Sequence, residues 1–417
     1  MDKATVRAWC FYDFGNSAFA VVFVTVYNAY YANHVVPGDA GADWWAYTVS
    51  LSMALVALSS PLLGGIADHA GARKRMLTIY TVVGILTTLC FATVGEGAIL
   101  LGFALGVIAN TAFEGGIVFY NAYLPDIAPP SHHGRVSAHG FAIGYVGSLL
   151  ALGAAAFLAS KGWITAVWGV VAVQWAIGAI PALKYLPKDE PTGMSVKDAA
   201  FLGLRRTAET WRSVMGMRDM RRFLLGYFLY MDGVNTVITF AAVYATSELG
   251  FSATETISMF AMVQLTALVG SLVMAGPSDR RGPRWAVLKS LIWWTFVVIM
   301  AITTGTEGFE YRKPAFWLVA GLAGLGLGSI QAASRAFMSH LIPDGREAEL
   351  FGFYALCGKT GSIVGPLLLT GLGALLGSLR LGLISVAVFY ALGYWLVLGV
   401  KDPQAGEDDS LATETTA

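Results

Sequence analysis

Twelve apolar segments, each about 20 residues or longer, constrain this chain more than any other feature. They lie near 8–33, 44–67, 76–94, 98–123, 136–159, 163–186, 221–246, 255–277, 285–304, 314–340, 350–374 and 379–400. At 1.5 Å of rise per residue, about 20 residues cross a hydrocarbon core of about 30 Å. In lipid, every backbone amide must find its partner within the segment, so spans of this length are helices. Composition agrees. With 56% hydrophobic and 13% charged residues, the chain has too little polar surface to coat a soluble globule of 417 residues. The expected fold is all-α and polytopic. Asp2, Lys3, Arg7 and Asp13 interrupt any short cleavable leader, so the first segment is expected to remain a helix.

The chain is also written twice. DHAGARKR at Asp68 to Arg75 returns as DRRGPR at Asp279 to Arg284, with Asp, Gly and Arg in matching places, 279 − 68 = 211 residues later. Arg135 and Arg346 share that offset, as do Gly147 and Gly358. Asp13 and Asn16 are matched by Asp232 and Asn235 at the same i, i+3 spacing, offset by 219. Eight further residues in the first half, placed in the polar stretch His34 to Asp43, account for the difference. The expected organisation is an N-terminal six-helix bundle over 1–186, a linker over 187–220, a C-terminal six-helix bundle over 221–403 and a disordered tail over 404–417. Duplicated membrane bundles usually move solutes.

Charge placement gives the orientation. Arg73, Lys74, Arg75, Arg135, Arg280, Arg281, Arg284 and Arg346 fall on one set of connections, joined by the basic linker residues. The alternate connections carry only Lys161, Arg312, Lys313 and Arg380. Positive charge stays inside, so both termini and the linker are expected to be cytoplasmic, in the plasma membrane if the source is bacterial. The linker is read as an amphipathic helix on that leaflet. Formal net charge is zero, and nothing points to nucleic acid.

The repeated turn reads as a cytoplasmic gate. Gly71 and Gly282 supply backbone freedom, while Asp68 and Asp279 can pair with Arg or cap a neighbouring helix end, and Arg73, Arg284, Arg135 and Arg346 complete the candidate gate. Contacts of that kind hold in one state and break in another.

Ionisable residues within a bilayer are costly and face a cavity or a partner. Asp232 lies ten residues past Arg222, about 15 Å along the helix. Glu114 lies twelve residues before Asp126, Gln331 twelve before Pro343, and Lys359 thirteen after Arg346. Arg335 stands one turn from Gln331, and Asp13 and Asn16 are shallower. The candidate substrate or coupling-ion residues are therefore Asp13, Asn16, Glu114, Asn121, Asp232, Asn235, Gln331, Arg335 and Lys359. A zwitterion fits such a set, its carboxylate to Arg335 or Lys359 and its ammonium to an acid. Glu114 or Asp232 is a candidate proton carrier. The competing account pairs these charges with one another as structural glue. Tyr12 and Tyr120 are candidates for substrate contact or for interfacial anchors. Gly140, Gly144, Gly147, Gly358, Gly361 and Gly365 read as packing residues.

Enzymatic motifs are lacking: there is no HExxH, GxSxG, Walker-type GxxxxGK[ST] or dinucleotide fingerprint. No cofactor and no metal are expected. His132 and His133 read as a solvated turn, and Cys10, Cys90 and Cys357 as buried free thiols. Without an ATP motif, transport must follow a gradient.

The repeated Asp-x-x-Gly-x-Arg turn resembles the gating motif of the major facilitator superfamily. YDFGNSAF at Tyr12 to Phe19, VFYNAYLPDI at Val118 to Ile127, DGVNT at Asp232 to Thr236 and QAASRAFMSHLIPDGREAELFGFY at Gln331 to Tyr354 resemble the autophagy-related protein 22-like family of vacuolar amino-acid effluxers and their bacterial relatives. Gly15 stands where Ala is expected in many relatives. The resemblance implies a twelve-helix major facilitator fold in which the first, fourth, seventh and tenth helices line a cavity. The polar residues fall largely on those helices, with Lys359 on the eleventh. The resulting expectation is a monomeric secondary transporter of a small polar solute, amino acids favoured, working by alternating access and driven by a proton or by the solute's own gradient. A channel or non-transporting receptor built on the same bundle, or a lipid flippase, is the alternative.

Overall fold

A computed structural model describes residues 1–189, 212–247, 249–304, 311–377 and 381–401. Most of the expected linker, with its basic patch at Leu204 to Arg206, lies outside these residues, as do Arg380 and the tail after Lys401.

Among the described residues, twelve long helices follow the apolar segments. They are α1 Lys3–Val22, α2 Gly41–Ala70, α3 Arg73–Cys90, α4 Ile99–Asn121, α5 His133–Ser160 and α6 Ile164–Tyr185, then α7 Arg218–Ser247, α8 Ala253–Arg281, α9 Pro283–Thr304, α10 Arg312–Leu341, α11 Glu347–Leu375 and α12 Leu383–Leu398. Ten are long and apolar enough to cross a membrane among the described residues, and α12 is a shorter apolar helix. The ends carry the expected chemistry. The Asp2 carboxylate accepts from the Ala4 and Thr5 amides and opens α1. The Thr5 hydroxyl and these amides hold the Asp2 carboxyl below its usual value. Ser252 and Glu255 form a reciprocal capping box at the start of α8. Gly71 closes α2 at φ 58°, and Gly282 separates α8 from α9 at φ 81°. Both repeat glycines thus occupy the backbone region that disfavours a side chain.

The first span does not stop at Val22. It continues through two π-helical stretches, Phe23–Tyr27 and Tyr31–Val35. Hydropathy carries no sign of them. The wider turns stack Tyr27 on Phe91 with centroids 3.9 Å apart. They also let Tyr27 and Tyr31 donate to the carbonyls of Gly102 and Ile99 on α4.

Two compact units result. Unit 1 comprises residues 1–127, 143–208 and 343–356, and unit 2 comprises 128–142, 209–342 and 357–417. In unit 1, α1 packs on α6, α4 on α2 and α3, and α3 on α6. In unit 2, α7 packs on α12, α10 on α8 and α9, and α9 on α12. The neighbour pattern is the same with six added to each label, which is the duplication seen in the sequence now expressed as packing. The first ten residues of α5 count with unit 2 and the first ten of α11 with unit 1.

Candidate functional site

The gate residues come together in two parallel arrangements. In unit 1, the Asp68 carboxylate accepts from the amides of Ala348 (3.2 Å) and Glu349 (2.9 Å) in the first turn of α11. In unit 2, Asp279 accepts from the Arg135 amide at 2.9 Å in the first turn of α5. Each repeat aspartate therefore satisfies orphan N–H groups at a helix start and meets the positive end of its dipole. Capping, one of the two roles open to these residues in sequence, is present in both copies.

Around this shared core the copies differ. Arg73 lies 3.5 Å from Asp68, 2.9 Å from Asp126 and 3.5 Å from Glu347, so one guanidinium serves three carboxylates. Arg346 pairs with Glu349 at 2.9 Å. In the second copy Arg135 pairs with Asp279 at 3.4 Å, with its side chain half exposed. Arg284, the counterpart of Arg73, donates instead to the carbonyls of Val397 and Leu398 at the end of α12. Asp126 and Glu347 were not singled out in sequence. Their signal was weak, because an acid near a helix end is common and only the fold brings both to Arg73.

In unit 1, Asp13 and Asn16 share a face of α1, as their spacing requires. The Tyr120 hydroxyl donates to one Asp13 oxygen at 2.8 Å, and the Asn16 amide approaches the other at 3.3 Å. Tyr120 is stacked between Trp9 and Tyr12, at centroid distances of 4.5 and 4.9 Å. Its carbonyl accepts from the Trp9 indole, and the Tyr12 hydroxyl shares a hydrogen bond with Thr81. Both tyrosines are buried. Neither is an interfacial anchor: they build the wall that holds Asp13. Glu114 and Asn121 are buried on α4.

In unit 2, Asp232 is fully buried, and one oxygen accepts from the Gly365 amide at 2.9 Å. The other oxygen has no hydrogen-bond partner among the described residues, nor has the hydroxyl of buried Thr236 one turn on. Only glycine allows this approach. A Cβ at position 365 would overlap the Thr236 hydroxyl and stand 2.6 Å from the Asp232 carboxylate. Asn235, Gln331 and Lys359 are half-buried on α7, α10 and α11.

Arg335 is engaged by its own unit. Its guanidinium donates to the Ser137 hydroxyl (2.9 Å) and carbonyl (2.7 Å), and it stacks 4.1 Å from the Phe141 centroid. One turn away the solvated-turn reading of His133 fails. This imidazole is buried, bonded to the Ala128 carbonyl at 2.9 Å and the Ser339 hydroxyl at 2.7 Å. His133 and Ser137 of α5 thus face Ser339 and Arg335 of α10 in a polar seam that Phe141, stacked on Arg335, closes. A His beside a Pro-rich turn looks solvated until the partner helix is known.

The packing glycines behave as expected where described. A side chain at Gly147 would meet the Phe14 carbonyl, and one at Gly144 would meet Ser17. The surroundings of Gly361 lie outside the described residues. Cys10 is buried, whereas Cys90 is exposed, on a face rich in Ile, Leu and Val. No metal-ligating cluster occurs among the described residues.

Residues 42–410 match the family described as vacuole effluxer Atg22 like. An uncharacterized MFS-type transporter of Bacillus subtilis, YxiO, is 28% identical over 95% of this chain and 94% of its own length. Autophagy-related protein 22 of Yarrowia lipolytica is 24% identical over 78% of this chain and 70% of its own. Among solved structures, the human organic anion transporter MFSD10 (TETRAN) superposes with a TM-score of 0.73 at 17% identity, covering 95% of this chain and all of that one. At that identity the likeness is one of fold, the fold of major facilitator transporters.

Proposed function

This chain belongs to the vacuole effluxer Atg22-like family, and from that premise we propose a secondary transporter that carries a small polar solute by alternating access. The observation that carries the proposal is the pair of aspartate caps, Asp68 on α11 and Asp279 on α5. A capped helix start can be released and recaptured without unfolding the helix, which makes each cap a two-state contact. A static pore or a scaffold has no use for such a contact in two copies.

The solute pathway draws on Asp13, Asn16, Glu114 and Asn121 from the first half and on Asp232, Asn235, Gln331 and Lys359 from the second. Zwitterionic amino acids fit this mixture of acids, amides and an ammonium. Arg335, held by Ser137, contributes its fixed positive charge and the alignment of α10. Asp232 is the coupling acid: the oxygen that has no hydrogen-bond partner among the described residues is where a proton can be held. The basic connections support cytoplasmic termini. The chain acts as a monomer, and it uses no cofactor.

Purified protein in proteoliposomes, offered a panel of labelled amino acids with and without a pH gradient, tests this reading. Saturable flux of at least one amino acid, accelerated by the gradient, is expected. Flux that is absent for every amino acid overturns the solute class. Flux that is present but indifferent to pH overturns the proton.

A further inference from the structure

The turn that ends in Gly282 carries more positive charge than the gate uses. Arg135 and Arg284 are committed to Asp279 and to the α12 carbonyls. Arg281 and Lys289 are exposed and enter no ion pair among the described residues. Both lean on one ring. The Arg281 guanidinium lies 4.7 Å from the Trp285 centroid and the Lys289 ammonium 6.0 Å from it.

Sequence spacing turns this cluster into a column. From 285 the steps to 289, 292, 296 and 299 are four, three, four and three residues, which keep one face of α9, while Arg281, the last residue of α8, joins that face through the Trp285 ring. Below the cations that face continues as Ile292, Phe296 and Ile299, which are 49%, 47% and 52% exposed. An exposed aliphatic stripe on a membrane-spanning helix meets acyl chains. A tryptophan at the end of such a stripe marks the headgroup level, and a lysine one turn deeper, about 6 Å, reaches back up to it.

We propose that Arg281, Trp285 and Lys289 form a binding site for an anionic phospholipid in the leaflet on the gate side of the membrane, its phosphate between the two cations and an acyl chain along α9. Charge complementarity selects the headgroup, and the stripe below it selects a lipid over free phosphate. The first half serves as an internal control. Its positions 211 residues earlier are Ala70, Lys74 and Thr78. There the single cation, Lys74, donates to the Leu186 carbonyl at 2.7 Å, and no cation pair faces outward. The site is therefore a property of the second repeat and not of the fold. Arg281 adjoins the turn that separates α8 from α9, two residues from Asp279, so an occupied site also braces the helix end that presents the second cap.

Native mass spectrometry of the full chain, exchanged into equal amounts of phosphatidylglycerol and phosphatidylcholine, reads the site directly. Wild type is expected to retain phosphatidylglycerol preferentially. R281Q/K289Q should lower that preference by about 25-fold, roughly fivefold for each cation, and R281K/K289R should keep it. An about tenfold excess of inorganic phosphate should displace nothing, because the acyl contact is missing. Quenching by brominated phosphatidylglycerol, taken as wild type minus W285F, should exceed quenching by brominated phosphatidylcholine. This second measurement decides the matter if R281Q/K289Q does not fold. An unchanged preference in R281Q/K289Q, displacement by free phosphate, or equal quenching by the two lipids overturns the proposal.

Discussion

Replacing Asp68 by alanine removes the strongest contact in the proposed gate, and its effect can be worked out before measurement. Two amides lose their acceptor, those of Ala348 and Glu349, and both residues are buried. An amide left buried without a partner costs about 1–3 kcal/mol. Arg73 is not orphaned, because Asp126 and Glu347 still hold it. The sum is about 3 kcal/mol against the capped arrangement, or roughly a hundredfold in population. Asp279→Ala removes one first-turn cap and a half-exposed ion pair, together about 1–1.5 kcal/mol and roughly tenfold. Cysteine reporters read both, in a background lacking Cys10, Cys90 and Cys357. One reporter is Leu350→Cys beside the first cap, and the other is Val136→Cys beside the second, both positions being buried. Thiol labelling at 350 should accelerate about a hundredfold in Asp68→Ala, and labelling at 136 about tenfold in Asp279→Ala. Rates within twofold of the parent, with the helical content retained, would refute the capping argument. A larger effect of Asp279 than of Asp68 would refute the asymmetry drawn from the two amides that Asp68 caps and the one that Asp279 caps.

Other outcomes follow from the same geometry. Asp232→Asn should abolish gradient-driven accumulation while leaving the fold intact, and unchanged accumulation in proteoliposomes would remove Asp232 from coupling. Gly365→Ala drives a methyl group into Thr236 and Asp232 and should destabilise unit 2 by about 2–3 kcal/mol, seen as earlier thermal unfolding; Thr236→Ala should restore part of the loss. Ser137→Ala removes the hydroxyl that Arg335 binds but keeps the carbonyl contact, so a loss of about 1 kcal/mol is expected, and no change in unfolding would show the seam to be incidental. Tyr120→Phe deletes the donor to Asp13 and should alter solute affinity more than stability; equal flux and affinity would take Asp13 out of the pathway.

Particular residues show how far the sequence could be read. The repeat at Asp68 and Asp279 disclosed the duplication and narrowed the two acids to capping a helix or pairing with Arg, because a short charged turn between apolar spans has few structural uses. The i, i+3 spacing of Asp13 and Asn16 disclosed their common face, because helical geometry is local. Tyr120 could not be assigned: its ring at a helix end suits an interface as well as a buried wall, and only the position of Trp9 and Tyr12 decides. His133 was misread for the same reason, because the Ser339 hydroxyl that buries it against α10 lies 206 residues away in the chain.

By itself the sequence determined the all-helical fold, its duplication and the buried placement of charge, since length, periodicity and the cost of an unpaired backbone group in lipid act within one segment. Only the tertiary structure decided which acid meets which amide. It gave Arg73 three carboxylates and Arg284 two carbonyls, set Arg335 on Ser137, and left one oxygen of Asp232 without a hydrogen-bond partner among the described residues. Those choices depend on distances of a few ångströms between helices far apart in the chain, and no local pattern encodes them.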